Sequence, residues 1–256
     1  MSTISFLKGK RALITGASGR IGQAIANKLA QAGASVVLTG RNLESLKEAA
    51  ANIKQNLTTD NNNVSDNPTV ETFSCDVTDE TSVKELFARI QGNDGQQIDI
   101  LINNAGTNVD KPLSDLTAND FEWVMKVNVL GPFLCSREAF KHMSNGGRII
   151  NVGSLSAMSP RPDSTAYTTS KFALNGLSRS LALDGREHGV SVGIIHPGNV
   201  ASDLLTREMI QARQQEGFVD ANDVAECVLT MVAMPPTTGI LELVVLPTTQ
   251  PFVGRG

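Results

Sequence analysis

The feature that most constrains this chain is a strict alternation of short β-branched runs with stretches of helical periodicity. Arg11–Thr15 reads as a strand, and Ile21, Ala24, Ile25 and Leu29 then recur at helical spacing. Ala34–Thr39 is a second strand, followed by a helical face at Leu43, Leu46, Ala50, Ile53 and Leu57. Val70–Ser74 is a third strand, and Val83, Leu86, Phe87 and Ile90 mark the next helix. Ile98–Ile102, Arg148–Val152, Val190–Ile195 and Leu241–Leu246 complete the strands. Between them lie helical regions at 118–143, where Pro132 predicts a bend or a split, at 164–188, at 203–215 and at 222–233. Alternating strands and helices imply parallel strands covered by helices on both faces. The expected fold is therefore α/β, a Rossmann-like doubly wound parallel sheet of about seven strands.

A chain of 256 residues lies between one and two domains, since a domain averages roughly 150 residues. No internal repeat or linker divides it. The polar stretch Thr58–Pro68, dense in Asn, Asp and Thr, falls between a helix and a strand and reads as an exposed insertion. We expect one domain over 1–256, with a core at about 8–247. Apolar residues at 41% exclude a disordered chain, and a net charge of −4 argues against nucleic acid as the main partner. The longest uncharged apolar runs, such as Ser191–Ile195, are far below the roughly 20 residues that span a bilayer. The first residues, Met1 to Lys8, lack the apolar core of a secretory signal. Three scattered cysteines, with no CxxC pair and no His cluster, read as reduced thiols and offer no metal site. A cytoplasmic location is the expectation.

Thr15 to Gly22, with Gly16, Gly19 and Gly22, joins the first strand to the first helix. Glycines there let the backbone approach a pyrophosphate, and the helix N-terminus supplies free N–H groups. An ordinary tight turn is the competing reading. A carboxylate at the end of the second strand would hold the ribose 2′-hydroxyl of NAD. This chain has Gly40-Arg41 instead, and Arg41 suits a 2′-phosphate, with Arg20 as a second positive charge. NADP(H) is the expected cofactor, unless Arg41 is simply a solvated arginine.

The single tyrosine, Tyr167, precedes Lys171 by four residues, which places both on one helix face. Reduction of a ketone needs a proton for the developing alkoxide, and a free phenol with pKa near 10 gives one up poorly. A lysine cation at about 4 Å contributes roughly 4 kcal/mol at an effective dielectric near 20. That is enough to bring the phenol down to about 7 at most. The pair can equally be a surface pair. Ser154, at the end of the fifth strand, lies at the sheet edge where parallel sheets bind ligands, and its hydroxyl can hold a substrate oxygen or simply shape a loop.

Thr15–Gly22, Asn103-Asn104-Ala105-Gly106, Asn128, Ser154, Tyr167-x-x-x-Lys171 and Pro197-Gly198 resemble, in order and approximate spacing, the short-chain dehydrogenase/reductase family from about Lys8 to Leu246. The resemblance implies Tyr167 as general acid in reduction and base in oxidation, and Lys171 as the group that lowers its pKa and binds the nicotinamide ribose. Ser154 would orient the carbonyl, and Asn128 would hold a water linking Lys171 to solvent. Gly16, Ser18, Gly19, Arg20, Ile21 and Gly22 would cradle the cofactor. Asp76 and Val77 would meet the adenine, and Asn104, Ala105 and Gly106 would line the dinucleotide. Pro197, Gly198, Val200 and Ser202 would hold the nicotinamide end. Asn104 and Pro197 also read as purely structural.

Two departures stand out. The family's middle glycine falls at the position of Arg20, with Gly19 usually variable, so the two residue types are exchanged here. The stretch Val245–Phe252 lacks the Asn-Gly-Gly ending common in acyl-carrier-protein reductases. The segment 203–217 is the expected substrate lid. Its Leu204, Leu205, Met209 and Ile210 serve packing or an apolar substrate, and Arg207 and Arg213 meet an acidic substrate or water. Met158 is a weaker pocket candidate, and His196 reads as structural. The function expected is an NADP-dependent interconversion of a carbonyl and a secondary alcohol. A 3-oxoacyl thioester reductase and a non-catalytic dinucleotide-binding protein are the alternatives. A small-molecule substrate and a homo-oligomer, tetramer or dimer, are the implied partners.

Overall fold

The computed structural model describes residues 6–60, 68–91, 97–143, 146–201 and 206–252. Seven strands form one parallel sheet: β1 (Arg11–Thr15), β2 (Ser35–Gly40), β3 (Val70–Ser74), β4 (Ile100–Asn103), β5 (Arg148–Val152), β6 (Ser191–Pro197) and β7 (Glu242–Val245). Their order across the sheet is β3-β2-β1-β4-β5-β6-β7. The order reverses between β1 and β4, so the loops leaving these neighbours diverge to opposite faces. The crevice they open at the carboxyl ends of the strands is where such sheets bind ligands.

Period-two alternation divides the core. In β1, Ala12 and Ile14 pack under α1 (Arg20–Gln31), α2 (Leu43–Asp60) and α8 (Ala221–Ala233), with Ile25, Leu29, Leu46, Ile53 and Val224. Leu13 faces the other way, toward α3 (Glu80–Gln91), α5 (Gly131–Phe140) and α6 (Thr165–Asp184), with Phe87, Leu101, Leu134 and Leu181. The strands read as continuous apolar runs because both faces are covered. Between the layers a buried amide ladder links two strands and two helices. Asn103 Nδ2 donates to Asn151 Oδ1 (2.8 Å) and to Ser136 Oγ (3.1 Å), and Asn151 Nδ2 donates to Ser178 Oγ (2.8 Å).

Two details differ from the sequence reading, and the bend or split expected at Pro132 is present. Helix α2 runs on to Asp60, so the polar stretch from Thr58 begins inside a helix, and 61–67 lie outside the described residues. The region 118–143 is split, with α4 (Ala118–Met125) passing through one wide turn at Lys126–Leu130 into α5. Pro132, second residue of α5, has no N–H for the Asn128 carbonyl four residues back, and the wide turn absorbs that loss. Finally, the helix expected at 203–215 is the short α7 (Arg207–Ala212), followed by a single tight turn at Gln214–Glu216. Among the described residues no helix is long and apolar enough to cross a membrane, and no group of His, Cys, Asp and Glu is placed to hold a metal.

Candidate active site

The glycine turn is fixed by backbone geometry. Gly16 has φ +61°, and a Cβ there would stand 2.7 Å from Ala105 Cα. A Cβ on Gly22 would stand 2.5 Å from the Gly16 carbonyl oxygen. Thr15, Asn104 and Ala105 bolt this turn to the end of β4. The Asn104 and Ala105 N–H groups each donate to Thr15 Oγ1 at 3.0 Å. Asn104 Nδ2 donates to the Thr15 and Gly16 carbonyls, also at 3.0 Å. Asn104 thus acts as a structural tie, and the cleft wall it forms continues into Ala105 and Gly106.

The exchange of Gly19 and Arg20 introduces no strain. Gly19 sits at φ −77°, ψ 158°, open to any residue, and Arg20 is the exposed first residue of α1. Among the described residues Asp163 alone of the non-glycines has positive φ. The N-terminus of α1 has no side-chain cap and no acidic residue in its first turn. Its N–H groups and positive end are therefore available to an anion, which is what a pyrophosphate requires. Ser18, Gly19, Arg20 and Ile21 all line the cleft at this point.

At the far end of the cleft, Arg41 lies with its guanidinium carbon 5.8 Å from the centre of the Trp123 ring. No carboxylate stands at the end of β2, where the cleft is lined by Gly40, Arg41 and Ser45. Asp76 and Val77 follow β3. Asp76 Oδ1 accepts from the Thr78 N–H (2.9 Å) and hydroxyl (2.8 Å), which shapes the loop. Val77 packs against Gly131, where a Cβ would come within 2.9 Å of Val77 Cγ2.

Tyr167, Lys171 and Ser154 converge at the inner end. Lys171, only 5% exposed, donates from Nζ to the Val152 carbonyl (2.9 Å) and lies 5.4 Å from the centre of the Tyr167 ring. Burial without a carboxylate lowers its pKa to about 8. The Tyr167 phenol moves in the direction opposite to the sequence expectation. Burial raises its pKa, the Ser154 hydroxyl bonded to it pulls the other way, Asp110 raises it further and Arg213 lowers it. The lysine sits under the ring face with its ammonium engaged by a carbonyl. Ser154, two residues past β5, accepts the Ser156 N–H at Oγ (3.1 Å), and its backbone contacts the buried His196 ring through Nδ1. His196 is structural: a Cβ on Gly153 would fall 2.6 Å from its Nδ1.

The Asn128 side chain ties two segments together. Its Nδ2 donates to the Thr107 carbonyl and to Ser170 Oγ, both 2.9 Å, and its Oδ1 accepts the Thr107 N–H (2.8 Å). The amide is fully engaged in tying the loop after β4 to α6.

Pro197, Gly198 and Val200 close the inner end. The Gly198 N–H donates to the Val245 carbonyl (2.7 Å), and Val200 bridges Val219. Ser202, Leu204 and Leu205 lie outside the described residues. The whole forms one cleft of about 740 Å³ running from Arg41 to Arg213. Met209 and Arg213 of the expected lid segment line it, and Met158 does not. The sequence reading missed Trp123, Asp110, Arg161 and Gln250. Each reaches the cleft from a loop or helix whose position depends on long-range packing, and no local motif marks them.

The family model described as short chain dehydrogenase matches residues 10–213. The chain is 36% identical over 203 residues to a 3-oxoacyl-[acyl-carrier-protein] reductase of Rickettsia bellii, covering 78% of this chain and 77% of that protein. It is also 36% identical over 203 residues to a gluconate 5-dehydrogenase of Gluconobacter oxydans, with 78% and 75% covered. Among solved structures, a short chain dehydrogenase from Burkholderia cenocepacia in complex with NADP is similar at a TM-score of 0.82 and 30% identity, over 93% of this chain and 97% of that one.

Proposed function

The chain belongs to the short-chain dehydrogenase family, and from that premise we propose that it is a cytoplasmic NADP(H)-dependent oxidoreductase that interconverts a carbonyl and a secondary alcohol. One observation carries this reading. Tyr167, Ser154 and Lys171 meet at one end of a continuous cleft whose middle is an uncapped helix N-terminus behind a glycine turn. The residues fit a dinucleotide, with the α1 N-terminus for the pyrophosphate and Arg41, in place of a carboxylate, for a 2′-phosphate. When bound, the reduced dinucleotide supplies hydride.

The chain's own residues then handle the proton. Ser154 holds the carbonyl oxygen beside the phenol. Tyr167, kept protonated at neutral pH by burial, delivers its proton to the developing alkoxide. Lys171 places positive charge beneath the ring and stabilises the phenolate left behind. Proton return runs from Lys171 through a water beside Asn128 to solvent. Met209 and Arg213, from the described part of the expected lid segment, face the substrate. Free thiols at Cys75, Cys135 and Cys227 suit a reducing compartment. Leu130, Phe133, Phe172 and Leu183 are exposed on the outer face of α5, α6 and the wide turn, which suits association of copies through these helices, read by gel filtration.

Tyr167→Phe tests the mechanism. We expect kcat on ketones with NADPH to fall by about 10²–10⁴-fold with NADPH affinity largely kept. An unchanged kcat defeats the reading and favours a non-catalytic dinucleotide-binding protein. A 3-oxoacyl thioester reductase is the second reading, supported by the Rickettsia bellii relative and opposed by the different stretch Val245–Phe252. Assay of 3-oxoacyl thioesters beside simple ketones and β-ketoesters separates the two.

A further inference from the structure

The inner end of the cleft holds charges that proton transfer does not use. Arg161 Nη2 donates to Glu216 Oε2 (2.7 Å) and to Asn199 Oδ1 (3.0 Å), and Asn199 Nδ2 donates to the same Glu216 oxygen (2.9 Å). Arg161 is therefore neutralised and anchored. Arg213, directly after α7, lines the same cleft and is half-buried. Among the described residues its side chain makes no hydrogen bond and no ion pair. Glu216 is already bonded to Arg161 and Asn199. Asp110, on the exposed loop after β4, faces Arg213 across the cleft without closing to ion-pair distance. Partial desolvation and the like charge of Arg161 both hold the Arg213 pKa below its usual value, yet an arginine remains a cation. Its charge is felt at the Tyr167 phenol, so the two groups share one chamber. Asn108, on the same wall, keeps a buried Oδ1 without a partner.

A half-buried guanidinium that feels Asp110 and Glu216 but reaches neither at ion-pair distance can be completed by an oxyanion, and its planar fork fits a carboxylate with two parallel N–H···O bonds. We propose that Arg213 is an anion subsite: the carbonyl substrate carries a carboxylate that seats on Arg213 while its carbonyl oxygen lies at Tyr167 and Ser154. This rests on the oxidoreductase reading above. It narrows the substrate class to oxo acids and hydroxy acids.

The test compares 2-, 3- and 4-oxo acids with their methyl esters, each reduced with NADPH. For the best pair we expect the acid to be preferred by about tenfold or more in kcat/KM, a charge-assisted bond being worth at least that. Arg213→Gln should bring the ratio near one, and Arg213→Lys should restore part of it. Arg207→Gln removes the same charge from the exposed face of α7 and should leave the ratio unchanged. Succinate, which has no carbonyl to reduce, gives a readout independent of turnover. Calorimetry should show it binding the NADPH-loaded protein and binding Arg213→Gln about tenfold more weakly. Esters equal to acids in the unmodified enzyme, with succinate indifferent to Arg213→Gln, overturn the subsite. So does Arg213→Gln weakening NADPH as much as the acid, which assigns the arginine to the cofactor. Succinate held through Arg213 with no carbonyl compound reduced defeats the oxidoreductase reading and leaves the subsite standing.

Discussion

The two ends of the cleft are built on opposite principles. The proposed dinucleotide end rests on α1, which buries Gly22, Ile25, Ala26, Leu29 and Ala30, and on a turn whose main-chain carbonyls are held by the Asn104 side chain. The substrate end rests partly on α7, which has no buried residue. A glycine turn recognises phosphate through main-chain N–H groups, so its shape must be held rigidly and any added atom collides. A substrate chamber discriminates through side-chain ends. Its walls tolerate substitution and its supports are only lightly packed. Folding free energy should therefore be sensitive to mutation at one end, and specificity at the other.

The sharpest attempt to break this contrast is Gly16→Ala. The positive φ and the overlap with Ala105 together predict a loss of about 2–4 kcal/mol in urea denaturation, with loss of NADPH binding. Wild-type stability in that variant would show the turn to be adaptable. Next comes Arg41→Ala. We expect kcat/KM with NADPH to drop by about 10–100-fold while the NADH value stays within about twofold. An equal loss for both cofactors would remove the 2′-phosphate from Arg41. Trp123→Ala should cause a smaller loss in the same direction, about two- to fivefold, since a cation–π contact is worth about 0.5–1 kcal/mol at an exposed site.

Lys171 supplies a test by pH. Its folded pKa of about 8 lies below its ordinary 10.5, so between these values the unfolded chain binds more protons than the folded one. Stability from this group therefore rises with pH across that window in the cofactor-free protein. Lys171→Met should flatten that part of the stability profile, measured by thermal unfolding from pH 7 to 10.5. A profile identical to the unmodified protein would mean the ammonium is better solvated than its 5% exposure implies. The smallest effect belongs to Met209→Ala on α7. Tm should stay nearly constant, with a change below about 0.5 kcal/mol, and KM should shift by no more than about threefold. A large drop in Tm would erase the distinction between the two ends.

Much of this was legible in one dimension. The strands Arg11–Thr15, Val70–Ser74 and Arg148–Val152 stand where the sequence pattern puts them, the first and last as strands buried along their whole length between two helix layers. The boundary of β4 slipped to Ile100–Asn103, since strand ends depend on pairing partners. Gly16 and the Tyr167/Lys171 spacing declare themselves locally, through a backbone conformation and a helical repeat. Asn128 was found as a residue, but only the fold brings Thr107 and Ser170 to its amide.

The sequence by itself determined the sheet, the glycine turn and the identities of the three residues, Ser154, Tyr167 and Lys171, that meet at one end of the cleft. These follow from periodicity and from steric rules that act over a few residues. Only the tertiary structure decided the direction of the Tyr167 pKa, the carbonyl that engages Lys171 and the unpaired state of Arg213. Those properties depend on desolvation and on charges brought near from distant parts of the chain, and neither is encoded in local spacing.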